Sequence, residues 1–229
     1  MIADKVTFSK GAGLLASFTF VFVLIFTPIF NGQNGLEYLD DLYNSISKGS
    51  AYYIPKLQDE VTPLVGKTVS MTLNMDSSVQ AKQIAVILNK SGATTQVSDS
   101  TVKVDGDIGN ILNLCLNDAD LMYANNGAKV KETYGFDERL VLYNWWAASK
   151  LMDKDLKRQK LFKEAKVVTT VQKKGLETSY NYYKIEPEKI SSKWGIVMFS
   201  LIFYVIYTLW YGFAIMFLFE GWGLRLEEH

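Results

Sequence analysis

The chain has 229 residues, a formal net charge of zero, one cysteine and one histidine. A single cysteine excludes an internal disulfide, a zinc knuckle and a CxxCH haem attachment. A single histidine leaves no material for a Ser/His/Asp triad, a His-ligated haem or a multi-histidine metal site. The balanced charge gives no electrostatic case for nucleic-acid binding, and neither a cofactor nor a bound metal is expected.

Taken in order, residues 1–10 form a short N-terminal segment whose basic side chains are Lys5 and Lys10. An uncharged run rich in Phe, Val and Leu follows at 11–30, long enough to cross a ~30 Å hydrocarbon layer as a helix. No small-residue cleavage pattern follows Phe30, so the run reads as an uncleaved signal anchor, and Pro28 loosens or ends its helix. Residues 31–65 open on the turn-forming Asn31-Gly32-Gln33-Asn34-Gly35. A short amphipathic helix at 36–47, close to the membrane or a partner, comes next, then an irregular connector at 49–63 with Pro55 and Pro63.

The folded centre, 66–193, starts with strict alternation at 69–75, the period of a half-buried strand. Ser77 or a neighbour caps a helix that buries Ala81, Ile84, Ala85 and Leu88, and Gly92 stops it. Strand candidates at 93–97 and 101–104 flank a turn at 98–100. Asp105-Gly106-Asp107 closes the second and caps a helix burying Ile108, Ile111, Leu112, Cys115, Ala119 and Met122. The order strand, helix, strand, strand, helix is met most simply by a ferredoxin-like sandwich, a small antiparallel sheet with helices on one face. Residues 167–171 fit either its final strand or a continuing helix. A long helix then starts at Asp137 or Glu138 with a stripe of Val141, Trp145, Ala148, Met152 and Leu156, and Gly175 ends it.

The longest uncharged stretch is 195–219, twenty-five residues without Asp, Glu, Lys, Arg or His. At 1.5 Å per residue it extends roughly 37 Å as a helix. With its flank it forms a second span, 194–219, ahead of a C-terminal tail at 220–229. Trp194, Trp222 and Arg225 read as anchors at the two water interfaces. The fold class is thus an α+β membrane protein, with two transmembrane helices flanking a small ferredoxin-like domain to which a long helix is added. The charge signals for orientation disagree: Lys5 and Lys10 favour a cytoplasmic N-terminus, whereas Lys184, Lys189 and Lys193 against Arg225 favour the reverse. The first span carries more weight, so both termini are taken as cytoplasmic, and the central domain as periplasmic to a bacterial inner membrane.

Several groups are candidate sites. Tyr204, Tyr207 and Tyr211 recur at i, i+3 and i+7 along the second span, with Ser200 and Thr208 near that face. Hydroxyls in hydrocarbon favour protein over lipid, so this stripe is a candidate helix–helix interface. Lys150, Lys154, Lys157, Arg158, Lys160 and Lys163 belong to a basic stretch that is a candidate docking surface for an acidic subunit or anionic headgroups. Asp105, Asp107, Asp118 and Asp120 lack the spacing of a calcium loop and read as caps and solvated side chains. Trp145 and Trp146 are core or interface aromatics, and Cys115 is a small buried hydrophobe.

These features point to a non-catalytic accessory subunit of a multi-subunit membrane complex, an energy-transducing one being one option. It would hold other integral membrane subunits, in contact with the lipid bilayer. The alternative is a self-assembling homo-oligomer: the layout of span, exported domain with a long helix, and span is similar to that of polysaccharide co-polymerases. A ligand-binding sensor is a third reading.

Overall fold

The computed structural model describes residues 2–30 and 32–224. Two compact units emerge: one joins the end segments, up to Gly49 and from Pro187, and the other is Ser50–Glu186.

In the first unit, α1 (Lys5–Ile25) starts six residues before the span read from the sequence. Asp4 explains the early start, because its carboxylate caps the amides of Val6 and Thr7 at 2.9 and 3.2 Å. The helix ends three residues ahead of Pro28, and α2 (Gly35–Ser50) follows. Asn34 accepts from the amides of Leu36 and Glu37, while Glu37 accepts from the amide of Asn34 at 3.0 Å, a reciprocal capping box. The last helix, α10 (Ile190–Gly221), runs antiparallel to α1. Contacts step along the pair: Ala3 and Asp4 amides donate to the Gly221 carbonyl, Gly11 lies against Ala214 and Leu218, and Trp210 Nε1 donates to the Leu14 carbonyl at 3.1 Å. Both α1 and α10 are long and apolar enough to cross a membrane, and only 6% of each apolar window is buried within the chain. Neither is therefore a core helix of this fold.

The second unit opens on a helix. Residues read as an irregular connector form α3 (Ile54–Val61) and a 3-10 turn, Thr62–Leu64. Ile54, Leu57, Val61 and Leu64 are all buried. Pro55 misled the reading: in the first helical turn its missing N–H costs nothing, so it starts this helix instead of breaking it.

The sheet comprises β1 (Thr68–Asn74), β2 (Thr94–Ser98) and β3 (Thr101–Asp107), in the order β1-β3-β2 with both pairings antiparallel. Met71 faces Val104 and Leu73 faces Val102, so one face is apolar and buried, as the alternation predicts. Helices α4 (Ser78–Lys90) and α5 (Ile108–Tyr123) follow β1 and β3, each capped by the preceding side chain, Ser77 or Asp107. Asp107 Oδ1 accepts from Gly109 and Asn110 while Oδ2 accepts from Gly66 at 2.6 Å, tying the helix start to the turn before β1. Asp107→Ala is expected to lower stability by about 1–2 kcal/mol, and Asp107→Asn by less, in chemical unfolding.

A fourth strand is not found among the described residues, so the ferredoxin-like closure is not met. The 167–171 segment is helical, inside α8 (Phe162–Thr170) and the π-helical segment Val171–Leu176. Its valines favour a strand locally, but Ala165, Val168, Val171 and Leu176 are buried as a helical face, and packing overrides propensity. At the β1 edge of the sheet, Gln159 Nε2 donates to the Ser70 carbonyl at 2.7 Å.

Between α5 and the long helix lies α6 (Gly127–Tyr134), which the sequence did not announce; Gly135, at φ +79°, ends it. In α7 (Glu138–Arg158) the stripe of Val141, Trp145, Ala148, Met152 and Leu156 is buried as expected. The helix does not run on to Gly175, however. Lys160 takes a left-handed φ of +63° and the chain turns before α8. Gly175 lies buried within the π segment beside Leu57 and Leu116, and α9 (Glu177–Tyr182) continues beyond it.

Candidate functional site

The polar residues of α10 separate onto two faces. Toward α1 and α2, the Ser200 hydroxyl lies 2.6 Å from that of Tyr43, and Tyr207 stacks on Phe18 with ring centres 4.3 Å apart. Tyr211 lies 5.1 Å from the same Phe18 ring. The Tyr207 hydroxyl is buried without a hydrogen-bond partner. Tyr204, by contrast, is 68% exposed and its hydroxyl is unpartnered within the described chain. Thr208, one turn on and also exposed, donates to the Tyr204 carbonyl at 2.7 Å. The five residues therefore do not form one surface: Ser200, Tyr207 and Tyr211 serve the hairpin, whereas Tyr204 and Thr208 face away from it. Trp194 and Trp222 are exposed near opposite ends of α10, and Arg225 lies outside the described residues.

The basic residues are likewise divided. Lys150, Lys154, Lys157 and Arg158 share a face of α7 by their spacing, Lys160 is in the turn, and Lys163 is in the first turn of α8. Lys157 pairs with Asp153 at 2.8 Å, Arg158 pairs with Asp155, and the Lys150 ammonium sits 5.4 Å from the Trp146 ring centre.

Asp118 corrects the expectation of a solvated side chain. It is 4% exposed, and its Oδ2 accepts from the Tyr134 hydroxyl at 2.5 Å and from Trp145 Nε1 at 2.7 Å. One carboxylate thereby joins α5, α6 and α7. Burial pushes its pKa up, and the two hydrogen bonds oppose that shift. Asp120, on another side of α5, accepts from Tyr52 at 2.8 Å. Cys115, one turn before Asp118, is fully buried, and its thiol pKa is pushed well up by burial and the Asp118 charge. Among the described residues no three His, Cys, Asp or Glu side chains gather to hold a metal ion.

A cleft of about 290 Å³ opens between α7 and α9, lined by Leu142, Tyr143, Trp146, Leu176, Glu177 and Tyr180. Trp146 Nε1 donates to Glu177 Oε1 at 2.9 Å and fixes that carboxylate at the cleft wall. Comparison with protein-family models, curated proteins and solved structures finds no match to this chain.

Sequence reading missed three sets of residues. Gly11, Ala214 and Gly221 make the close helix contact, and small residues at 214 and 221, seven apart on one face, were a usable signal. The Asp118 network gave none, because its three members lie on separate helices. Glu177 and Trp146 are likewise 31 residues apart.

Proposed function

We propose that this chain is a non-catalytic, membrane-anchored accessory subunit of a larger membrane assembly. The α1–α10 hairpin spans the bilayer, and the Ser50–Glu186 unit lies on the exported side, the periplasm of a bacterial inner membrane. The observation that carries this reading is Tyr204. It lies about 5 Å along the axis from the centre of the uncharged stretch, faces away from α1, and leaves its hydroxyl unpaired. A hydroxyl left bare in hydrocarbon costs on the order of 1–3 kcal/mol, and a partner helix offering an acceptor removes that cost. Thr208 on the same outer face extends the polar contact. The lysines of α7 and the turn after it supply a second, water-exposed contact for an acidic subunit.

The test is a photo-crosslinking amino acid at position 204 in native membranes, with position 20 as the comparison, since Phe20 is an exposed apolar residue of α1. Position 204 is expected to yield a discrete adduct with another integral membrane protein, and position 20 lipid adducts only. An adduct between two copies of the chain would move the reading to a self-assembling scaffold. Lipid adducts alone at position 204, with a lone monomer on native extraction, would overturn it.

A further inference from the structure

The α7–α9 cleft has a composition that the subunit reading does not use. It is lined by the apolar Leu142 and Leu176, the aromatic Tyr143, Trp146 and Tyr180, and the polar Asn181, with Glu177 as its one carboxylate. Tyr143 and Trp146 stack with centres 5.9 Å apart. Trp146 holds one Glu177 oxygen, and Glu177 makes no ion pair among the described residues, so its second oxygen remains open to a ligand. Leu176 is the last residue of the π-helical segment, a rare geometry that is frequent at functional sites. Three aromatic side chains and one carboxylate in one small cleft are the group types that hold an organic cation: an aromatic ring attracts a diffuse positive charge, and the carboxylate supplies the counter-charge. The Trp146 ring already has a cation beside it within the molecule, the Lys150 ammonium at 5.4 Å.

We propose that this cleft binds a small organic cation, a quaternary or alkyl ammonium group, between Tyr143, Trp146 and Tyr180 with Glu177 as its counter-ion. Lys150, outside the cleft lining, competes for the same electronegative ring, and the exposed Lys173 and Lys174 of the π segment weaken the field of Glu177. The affinity is therefore set by short-range contact with the rings and carboxylate, not by long-range attraction. About 290 Å³ accommodates a choline-sized headgroup but not a nucleotide or a folded peptide element.

The experiment titrates choline into the full chain, held in a detergent free of choline groups, by calorimetry. Its neutral isostere 3,3-dimethyl-1-butanol is titrated in parallel. Choline is expected to bind at least about tenfold more tightly than the isostere. Glu177→Gln and Tyr180→Ala should each weaken it by about tenfold, and Lys150→Ala should tighten it a few-fold by removing the resident cation. Far-UV circular dichroism of each variant shows that the fold persists; Tyr180 and Lys150 are exposed, so at least these two probe the site without disturbing the core. Lipid nanodiscs with and without phosphatidylcholine then identify the source. Competition between the lipid and free choline assigns a headgroup, whereas binding of free choline alone assigns a soluble amine. Equal affinity for choline and the neutral isostere, or no saturable binding of either, would overturn the proposal.

Discussion

Asp118→Ala is expected to lower the stability of the central unit by about 3–5 kcal/mol, since it leaves two buried donors without an acceptor, each costing ~1–3 kcal/mol. Those donors are the Tyr134 hydroxyl and Trp145 Nε1, and Trp145 itself is 1% exposed. Chemical unfolding of the full chain, followed by near-ultraviolet dichroism, measures the loss. Asp118→Asn keeps an acceptor oxygen and never ionises, so it should cost less, and it also alters the pH dependence. The Asp118 carboxyl is raised above its ordinary 3.8 by burial. A carboxyl raised on folding contributes stability that is complete below its unfolded pKa and is lost as pH rises through the folded one. The Asn variant should therefore lack a decline that the parent shows above about pH 4. Glu138 and Glu164 run the other way. The first is held low by its own backbone amide and the Tyr183 hydroxyl, the second by its own backbone amide and Lys67, so their contributions disappear as pH falls. Only the difference between parent and variant isolates Asp118. Parallel stability curves for the two would contradict its role.

The second large effect is expected at Gly11. A Cβ there would stand 3.0 Å from the Ala214 carbonyl oxygen and closer still to the Leu218 amide, both rigid parts of α10. Gly11→Ala should cost about 1–3 kcal/mol by overpacking, and Gly11→Leu should separate the two helices. Fluorescence of Trp210 tests this, because its indole N–H would lose the Leu14 carbonyl. Resistance of the hairpin to denaturing detergent should fall in the order Gly, Ala, Leu. Gly13, where a Cβ meets nothing within 4 Å, is the matched control. Equal resistance of the Gly11 and Gly13 leucine variants would argue against a tight α1–α10 contact.

Local patterns were legible in the chain and long-range ones were not. The alternation before Met75 and the spacing of Ala81, Ile84, Ala85 and Leu88 report burial of one face, which a sheet strand and an amphipathic helix encode in their own residues. The two apolar helices were equally plain, because length and lack of charge are local properties. Residues 167–171 fitted a strand or a helix alike, because two adjacent valines carry β propensity, while the contacts that decide for the helix come from elsewhere in the unit. The long helix failed at Lys160, whose left-handed backbone no side-chain pattern announces. On α10 the periodicity of Tyr204, Tyr207 and Tyr211 located the polar groups but not their directions. Tyr207 turns to Phe18 and Tyr204 turns away, and only the partner helix decides which.

The burial of Cys115 has a practical corollary for chemical modification. Alkylating reagents attack thiolates that they can reach, and this sulfur is both inaccessible and disinclined to ionise. In the native state the chain is thus silent to maleimides. Their uptake becomes a clock for opening of the α5 region, and any cysteine introduced on the surface becomes a unique attachment point for a spin label or dye.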